Sequence, residues 1–468
     1  SFSSYTPERD HEVWQGNEAS ASQVEAAITA AKSAFKSWRK RPLAERIAVT
    51  AAFAEQLLQH AEHLAGVIHQ ETGKPLWEAR TEVQAMINKV DISVAAFHER
   101  TGTHSEQNLQ LNHRAHGVMA VFGPYNFPGH LPNGHIVPAL IAGNTIVFKP
   151  SEQTPRVAEE TLKLWLAAGL PEGVICLVQG GAQVGASLVD GDVNGVLFTG
   201  SSKVGAIIHK ALAGRPEVIA ALEMGGNNPL IVSDYKDVDF AVNTTINSAF
   251  LSAGQRCTCT RRVIVVEDTK TEAFLNGLRK VAKRLVVGTT GTHDPEPFMG
   301  PVINPDTGKQ LLTAQRQLTE LGGEIILEMQ ALDDSGARLS PGIIDMTRAR
   351  DHIDEEWFGP LLQVIRVNDI EQAIEVANAT RYGLAAGLIS DSDNVKTQFL
   401  ADIEAGVTSI NAPTAGASSK LPFGGVGASG NHRPGAYYAA DYCAWPQATM
   451  IGGSTDSGSA NIARGLKE

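Results

Sequence analysis

Apolar residues recur at helical spacing through the first part of the chain. Over residues 20–100 they follow one another at intervals of three, four and seven, as between Val24 and Trp38, which is the pattern of amphipathic helices. Pro42 and the Gly-Lys-Pro segment at 73–75 interrupt the pattern, because both residue types break helices. We therefore predict several separate helices in this region.

After Gly117 the pattern changes to short, continuous apolar runs separated by helical segments. The runs are Val118–Phe122, Thr145–Lys149, Val174–Val178, Val196–Thr199, Val218–Leu222 and Leu230–Val232. Between two of them, Pro155 begins and Gly169 ends a crossover helix. Strands without polar alternation are buried on both faces, which indicates a parallel sheet covered by helices. We predict a doubly wound domain of the dinucleotide-binding type.

A second alternation of helices and strands runs over residues 237–430. Apolar residues from Val242 to Phe250 predict a helix that Gly254 closes, and residues 262–267 predict a strand. Cys257 then lies in the turn between them, a place where proteins present reactive side chains. The polar stretch 101–116 predicts a surface excursion or a two-stranded flap.

Composition and charge restrict the class of protein. The 468 residues are 43% hydrophobic and 19% charged, which is typical of globular proteins and suggests about three domains or one large domain with an appendage. The net charge of −12 disfavours nucleic acid and anionic membranes as partners, so any anionic ligand needs local cations. The most apolar stretch, Ile136–Phe148, is shorter than the roughly 20 residues of a membrane span.

The four cysteines, Cys176, Cys257, Cys259 and Cys443, are too few and too irregular for a disulfide framework. We therefore expect a reducing, cytoplasmic setting. The sequence contains neither a C-x-x-C pair nor an H-E-x-x-H motif, so we predict no metal site.

Cys257 is the strongest candidate nucleophile. It follows Arg256 and precedes Arg261 and Arg262, and nearby cations favour the nucleophilic thiolate. The alternative is an inert buried cysteine, an interpretation that suits Cys259.

Two further polar residues occupy positions suited to catalysis. Glu223 follows a predicted apolar strand in LEMGG and can serve as a general base; alternatively it caps a helix or forms a surface ion pair. Asn126 lies between Pro124 and Pro128, so its stiff backbone can direct the amide toward an oxyanion, although asparagine is also common in turns.

The segment GSSKVG, from Gly200 to Gly205, follows a predicted strand and opens a helix. Such a helix start directs backbone N–H groups at phosphate. The segment matches neither the P-loop nor G-x-G-x-x-G, and an ordinary Gly- and Ser-rich helix cap is the alternative.

Seven motifs together identify a family. In chain order they are GPYNFP, FKPSE, FTGS, LEMGG, GQRC, EEWFGP and PFGG. Their order and spacing resemble the aldehyde dehydrogenase superfamily over nearly the whole chain. The chain departs from the family at its start, where Tyr5–Glu8 stands in place of an N-P-x-x-G segment, so we expect the first strand to be shortened or replaced.

This resemblance implies an α/β fold of two doubly wound α/β domains and a small bridging β element. We assign residues 1–96 and 117–226 to NAD binding, 227–430 to catalysis, and 97–116 with 431–468 to bridging and oligomerisation. Family members pair through the bridging element, which implies a homodimer or a dimer of dimers.

The resemblance also implies residue roles. Cys257 is the nucleophile, Asn126 and the backbone N–H of Cys257 hold the oxyanion, and Glu223 activates the hydrolytic water. NAD is the cofactor, and the implied contacts are Lys149 and Glu152 with the adenosine ribose, Gly200, Ser201, Ser202, Lys203, Val204 and Gly205 with the pyrophosphate end, Glu356 with the nicotinamide ribose, and Phe358 with the nicotinamide surroundings.

A closer likeness within the family is carried by LEMGGNNPL, SAGQRCTCTRR and GASGNHRPGAYYAADYCAWP. It implies N-succinyl-L-glutamate 5-semialdehyde as the substrate, in arginine breakdown. Arg256, His130 and Arg433 are the candidates for binding its carboxylates, with internal ion pairs as the alternative for the arginines. Another carboxylated semialdehyde, a coenzyme A-acylating reaction, a cysteine hydrolase and an inactive structural relative remain alternatives.

Overall fold

A computed structural model describes residues 1–289, 295–455 and 463–465. The chain begins with a hairpin of β1 (Phe2–Tyr5) and β2 (Glu12–Gly16). A regular strand is therefore present at the start, where we expected the first strand to be shortened or replaced.

Helices follow the hairpin, as the spacing of apolar residues predicts. They are α1 (Ala21–Trp38), α2 (Leu43–Gln59), α3 (Ala61–Thr72) and α4 (Leu76–Thr101). The predicted breaks at Pro42 and at 73–75 are confirmed, whereas the sequence pattern did not indicate the break at His60. Next come β3 (His104–Glu106) and β4 (Leu109–Ala115), so the predicted two-stranded flap is confirmed.

The first large sheet is parallel throughout and has the strand order β7-β6-β5-β8-β9. Its elements are β5 (Val118–Phe122), α5 (His130–Ala142), β6 (Thr145–Lys149), α6 (Pro155–Ala167), β7 (Ile175–Leu177), α7 (Ala182–Asp190), β8 (Gly195–Gly200), α8 (Ser202–Leu212) and β9 (Ile219–Met224). The predicted strands from Val118 to Leu222 are confirmed, with ends shifted by up to two residues.

Both faces of this sheet are buried, as continuous apolar strands require. Met119 and Val121 of β5 pack in the cluster that contains α2, α5 and α6, whereas Ala120 and Phe122 pack in the cluster that contains α1, α7 and α8. The prediction of a doubly wound sheet is therefore confirmed.

The second large sheet has the order β12-β13-β14-β11-β10-β16-β17, with β12 antiparallel to β13. Residues 230–232, predicted as a strand, belong to this sheet. Its region comprises β10 (Pro229–Val232), α9 (Val238–Phe250), β11 (Arg262–Val266), α10 (Thr271–Arg284), α11 (Pro305–Glu320), β12 (Glu324–Leu327), β13 (Gly342–Asp345), β14 (Leu361–Val367), α12 (Ile370–Asn378), β15 (Tyr382–Gly383), β16 (Ala385–Ile389), α13 (Asp393–Asp402) and β17 (Val407–Ile410).

The remaining elements close the structure around the two sheets. They are β18 (Pro422–Phe423), β19 (Val426–Gly427), β20 (Gly435–Ala436), α14 (Ala439–Tyr442) and β21 (Ala444–Met450). Strand β21 pairs with β4 in a sheet of order β21-β4-β3. The α/β class is confirmed. The domain boundaries stay a prediction, and residues 456–462 and 466–468 of the proposed bridging element lie outside the described residues.

None of the helices that the structure describes is long and apolar enough to cross a membrane.

Candidate active site

The turn that carries Cys257 begins with an abrupt change of backbone direction. Helix α9 ends at Phe250, and Ser252, Ala253 and Gly254 then adopt φ values of +57°, +54° and +70°. Residues with side chains rarely occupy this left-handed region, and such residues concentrate at functional sites. Helix α9 therefore ends four residues before Gly254, the residue at which the sequence pattern predicted its end.

Asn228 holds the backbone of this turn. Its Nδ2 donates to the carbonyl oxygens of Cys257 at 2.7 Å and Cys259 at 2.9 Å, and its Oδ1 accepts from the N–H of Ala385 at 3.0 Å. One buried side chain thus fixes the residues on either side of position 258. Asn228 lies in the LEMGGNNPL motif that carries the closer likeness, but the sequence analysis assigned it no role.

Burial raises the pKa of the Cys257 thiol well above its usual range, and the carboxylates of Glu356 and Glu223 raise it further, while Arg261 lowers it. Arg256 is directed elsewhere: its Nη2 lies 2.7 Å from Oε1 of the buried Glu78, and its Nη1 donates to the carbonyl of Ala415 at 2.9 Å. Of the flanking arginines, Arg261 thus favours the thiolate as predicted, whereas Arg256 is engaged by Glu78 and Ala415. Burial and two neighbouring acids outweigh one cation.

Asn126 lies beside the same turn. Its Nδ2 donates to the carbonyl of Gln255 at 3.0 Å, which leaves a second N–H on the amide. Its own carbonyl accepts from Nζ of Lys74 at 2.7 Å, and Lys74 is paired with the buried Glu82 at 2.7 Å. The Asn126 loop and the cysteine turn are thus joined directly.

Glu223 is the penultimate residue of β9, and its carboxylate accepts a hydrogen bond from the backbone N–H of Gly435. Burial raises the pKa of Glu223 to about 8, while the positive charge of Lys89 and the Gly435 hydrogen bond act in the opposite direction. A carboxyl group with this pKa can exchange a proton near neutral pH, as a general base must.

Two cavities meet at these residues. One has a volume of about 680 Å³ and the other about 240 Å³. Cys257 and Glu223 line both cavities, and Asn126 lines the larger one. The structure therefore brings the three residues predicted to be catalytic together at one junction.

The larger cavity also collects most of the residues predicted to contact the cofactor. Its lining includes Lys149, Glu152, Gly200, Ser201, Val204, Glu356 and Phe358. Ser202, Lys203 and Gly205 are not part of it: the Ser202 hydroxyl lies 3.3 Å from that of Tyr382, Lys203 is exposed, and Gly205 is buried where a Cβ would overlap with Met224. Contact of these three residues with the cofactor stays a prediction.

A helix start opens into the larger cavity. The hydroxyl of Ser201 accepts from the N–H of Val204 at 3.3 Å and so caps α8. Farther along the wall, Glu356 accepts from the N–H of Gly226 at 3.2 Å, and burial raises the pKa of Glu356 to about 7. A Cβ at Gly225, which also lines the cavity, would overlap with the Glu356 carboxylate.

The residues predicted to bind substrate carboxylates divide into three cases. His130 lines the smaller cavity, but burial and three nearby cations lower its pKa to about 4, so it is neutral at pH 7. Arg256 lines the cavity while it is ion-paired with Glu78. Arg433 is exposed and lines neither cavity, so the structure does not bring it together with the other two, and its contact with substrate stays a prediction. Proximity to the Gly-rich stretch in sequence did not determine where its side chain points.

Sequence reasoning missed Lys89, a lysine on α4 that is 1% exposed and lines the smaller cavity. The signal was present in the helical pattern, because Lys89 lies three positions after Met86 on the buried face of that helix. A charged residue at such a position is rarely fully buried without a partner.

Comparisons with known proteins agree with the geometry. The model of the aldehyde dehydrogenase family matches residues 1–447. The chain is 54% identical over 454 residues to a protein of Serratia proteamaculans named N-succinylglutamate 5-semialdehyde dehydrogenase, covering 96% of this chain and 92% of that protein. It is 55% identical over 455 residues to a protein of the same name from Hahella chejuensis, with the same coverage.

Solved structures of lower identity share the fold. The 1-pyrroline-5-carboxylate dehydrogenase from Thermus with bound NAD is 28% identical, with a TM-score of 0.89 over 96% of this chain and 89% of that one. The glyceraldehyde-3-phosphate dehydrogenase GapN of Methanocaldococcus jannaschii complexed with NADP is 29% identical, with a TM-score of 0.89 over 96% of this chain and 99% of that one.

Proposed function

Because the chain belongs to the aldehyde dehydrogenase family, we propose that it oxidises N-succinyl-L-glutamate 5-semialdehyde to N-succinyl-L-glutamate with NAD. The observation that carries the chemistry is the junction of two cavities at Cys257 and Glu223. In such a reaction the aldehyde and the dinucleotide must both reach Cys257, and the two cavities let them approach it from different sides. The names of the relatives support the choice of aldehyde.

The larger cavity suits a dinucleotide in size and lining. Its volume of about 680 Å³ is in the range of small-molecule sites, and the start of α8 offers backbone N–H groups to a pyrophosphate. Lys149 and Glu152 would hold the adenosine ribose and Glu356 the nicotinamide ribose. NAD, when bound there, supplies the nicotinamide that accepts a hydride.

The chain's own residues perform the remaining steps. Cys257 gives its thiol proton to solvent, and the resulting thiolate attacks the aldehyde carbon. The free N–H of the Asn126 amide and the backbone N–H of Cys257 stabilise the oxyanion of the thiohemiacetal. Hydride loss from that carbon leaves a thioester on Cys257. Glu223 takes a proton from the water that attacks the thioester, and this step releases the carboxylate product and the thiol.

The smaller cavity supports a carboxylated substrate. The net charge of −12 repels an anion at long range, but Lys89 and Arg256 line this cavity and His130 offers a neutral ring nitrogen. Ser418 and Ser419 add hydroxyl groups to the same wall. The site therefore concentrates donors where the substrate's carboxylates would lie.

The decisive experiment is a panel of aldehydes assayed with NAD for NADH formation. We expect the succinylated semialdehyde to have a kcat/KM at least tenfold above that of a neutral aliphatic aldehyde of similar length. Equal efficiency would contradict the substrate proposal and leave the family assignment unaffected. A thioester product formed on addition of coenzyme A would instead support an acylating reaction.

The oligomeric state and setting are part of the proposal. The sheet β21-β4-β3 carries exposed apolar side chains, among them Trp445 at 41% and Met450 at 75% exposure, which supports burial of this surface in a homodimer or a dimer of dimers. The four cysteines are free, which supports a reducing, cytoplasmic setting. Light scattering at several concentrations tests the oligomer.

A further inference from the structure

Lys89 differs from the other buried cations around the smaller cavity. Lys74 and Arg256 each lie 2.7 Å from a carboxylate oxygen, of Glu82 and Glu78 respectively. Lys89 is 1% exposed, and its Nζ donates to the backbone carbonyl of Ala436 at 2.9 Å. A buried ammonium held by a carbonyl keeps further N–H donors for another partner.

Strand β20 connects Lys89 to Glu223. Gly435 donates its N–H to the Glu223 carboxylate, and the next residue, Ala436, accepts from Lys89. Lys89, Glu223 and Ala436 all line the smaller cavity. The backbone groups of two adjacent residues therefore hold the carboxylate and the ammonium at the same wall.

The residue at 435 must be glycine for this arrangement. A Cβ there would overlap with an oxygen of the Glu223 carboxylate. That oxygen is the far end of a flexible side chain, so an added methyl group displaces the carboxylate instead of the backbone.

We propose that Lys89 is a positioning residue for Glu223: its ammonium, fixed by Ala436, favours the ionised form of the Glu223 carboxylate, which lines the same cavity as Cys257, and so increases the fraction of enzyme that can hydrolyse the thioester at neutral pH. This inference rests on the proposed function, in which Glu223 activates the water.

Among the other titratable groups near Lys89 and Glu223, Arg256 and Glu82 also line the smaller cavity, but they are ion-paired with Glu78 and Lys74 respectively. The remaining groups are neutral near pH 7. Burial raises the pKa values of the Tyr442 hydroxyl and the Cys443 thiol, and it lowers those of His130 to about 4 and His135 to about 3. The Cys257 thiol, also near Glu223, has a raised pKa. Lys89, with a pKa lowered by burial to about 8, is therefore the positive partner of Glu223 among these groups.

The test compares Lys89→Met with the wild-type enzyme by rapid mixing with NAD and aldehyde. The variant should keep the first burst of NADH, because thioester formation does not use Glu223. Loss of a charge that lowers the pKa of Glu223 should move the apparent pKa of the steady-state rate upward by about one unit, which lowers turnover at pH 7 about tenfold. The rate should approach that of the wild type at high pH.

Gly435→Ala provides a second variant that leaves Lys89 in place. We expect the same burst and slow steady state, because the methyl group displaces the Glu223 carboxylate. Since both changes act on one carboxylate, the double variant should lose less than the product of the two single losses. Lys163→Met, an exposed residue that lines neither cavity, controls for a change of one unit in net charge and should behave as wild type.

Three results would overturn the inference. A loss in Lys89→Met by the same factor at every pH would indicate a structural role, and thermal unfolding would then report the damage. A rise in KM confined to carboxylated aldehydes, with an unchanged pH profile of the steady-state rate, would make Lys89 a substrate ligand only. Normal turnover in Gly435→Ala would show that the arrangement at β20 is dispensable. Failure of the proposed function is separately visible, because Glu223→Gln would then keep its steady-state rate.

Discussion

Replacement of Glu223 by glutamine should separate the two halves of the reaction. The amide keeps the shape of the side chain but cannot accept a proton, so thioester hydrolysis should slow by about 10²- to 10⁴-fold, the usual contribution of a positioned base. Thioester formation does not use this group. Rapid mixing with saturating NAD and aldehyde should therefore give about one NADH per active site, followed by a stall.

The role of Glu223 as the base also predicts how the steady-state rate of the wild-type enzyme depends on pH. With a pKa of about 8, Glu223 is ionised in about one tenth of the molecules at pH 7 and about nine tenths at pH 9. If hydrolysis limits turnover, the steady-state rate should rise about tenfold over that interval and level off above it. The sign follows from the ionised form being the base, so activity falls as pH decreases.

The control for Glu223→Gln is Glu355→Gln, which changes an exposed glutamate that lines neither cavity and should leave both phases intact. A steady-state rate unchanged in Glu223→Gln would refute the assignment of the base. So would a wild-type rate that is flat between pH 6 and pH 9 while hydrolysis is shown to limit turnover.

Three further predictions concern single residues. Cys257→Ala should form no NADH but should still bind NAD, as measured by calorimetry. Cys259→Ala, which loses only a buried thiol 3.6 Å from the carbonyl oxygen of Leu251, should stay active. Equal loss of activity in both variants would contradict the assignment of Cys257 as the nucleophile. The kcat/KM with NAD should exceed that with NADP by about tenfold or more, because the Glu152 carboxylate repels the additional phosphate of NADP. Glu152→Gln should reduce this ratio of the two kcat/KM values. A preference for NADP would contradict the contact of Glu152 with the adenosine ribose. Arg433→Ala should change kcat/KM for the succinylated aldehyde by less than about twofold, as expected for an exposed residue outside both cavities, and a tenfold loss would return Arg433 to the substrate site.

The sequence predicted the fold and the junction of the site because both depend on local patterns. Uninterrupted apolar runs between helices specify a parallel sheet, and β5 and β6 begin and end at the residues that the runs indicated. Cys257 and Glu223 follow regular elements, so the topology determines where they lie. Glu223 and Cys257 lie in different motifs, so it was the order of the motifs that indicated that the two residues act together.

The charge partners could not be predicted, because they come from distant parts of the chain. Arg256 pairs with Glu78 across 178 positions, and Lys89 bonds with Ala436 across 347. A sequence shows that Arg256 adjoins the nucleophile but not that its guanidinium turns toward α4. In the same way, the sequence shows that Arg433 follows the Gly-rich stretch but not that it is exposed and lines neither cavity.

The arrangement of cations explains how three acidic groups share one junction. The Cys257 thiol, Glu223 and Glu356 crowd together, and the two carboxylates raise the pKa of the thiol, so full ionisation of all three is disfavoured. Lys89 counteracts this effect at Glu223, whereas Arg261 does so at Cys257 and Glu356. Each cation thus favours the ionised form of different acidic groups, Lys89 that of Glu223 and Arg261 those of Cys257 and Glu356.

Arg261 also has the geometry to link these parts mechanically. It is fully buried, and its guanidinium donates to the carbonyls of Arg256 at 2.9 Å and Gly359 at 3.3 Å while lying 5.2 Å from the ring of Phe358. The planar group therefore ties the cysteine turn to the segment that carries Glu356. A lysine would keep the charge but lose the directed donors and the stacking, so the guanidinium is required for position as well as for electrostatics.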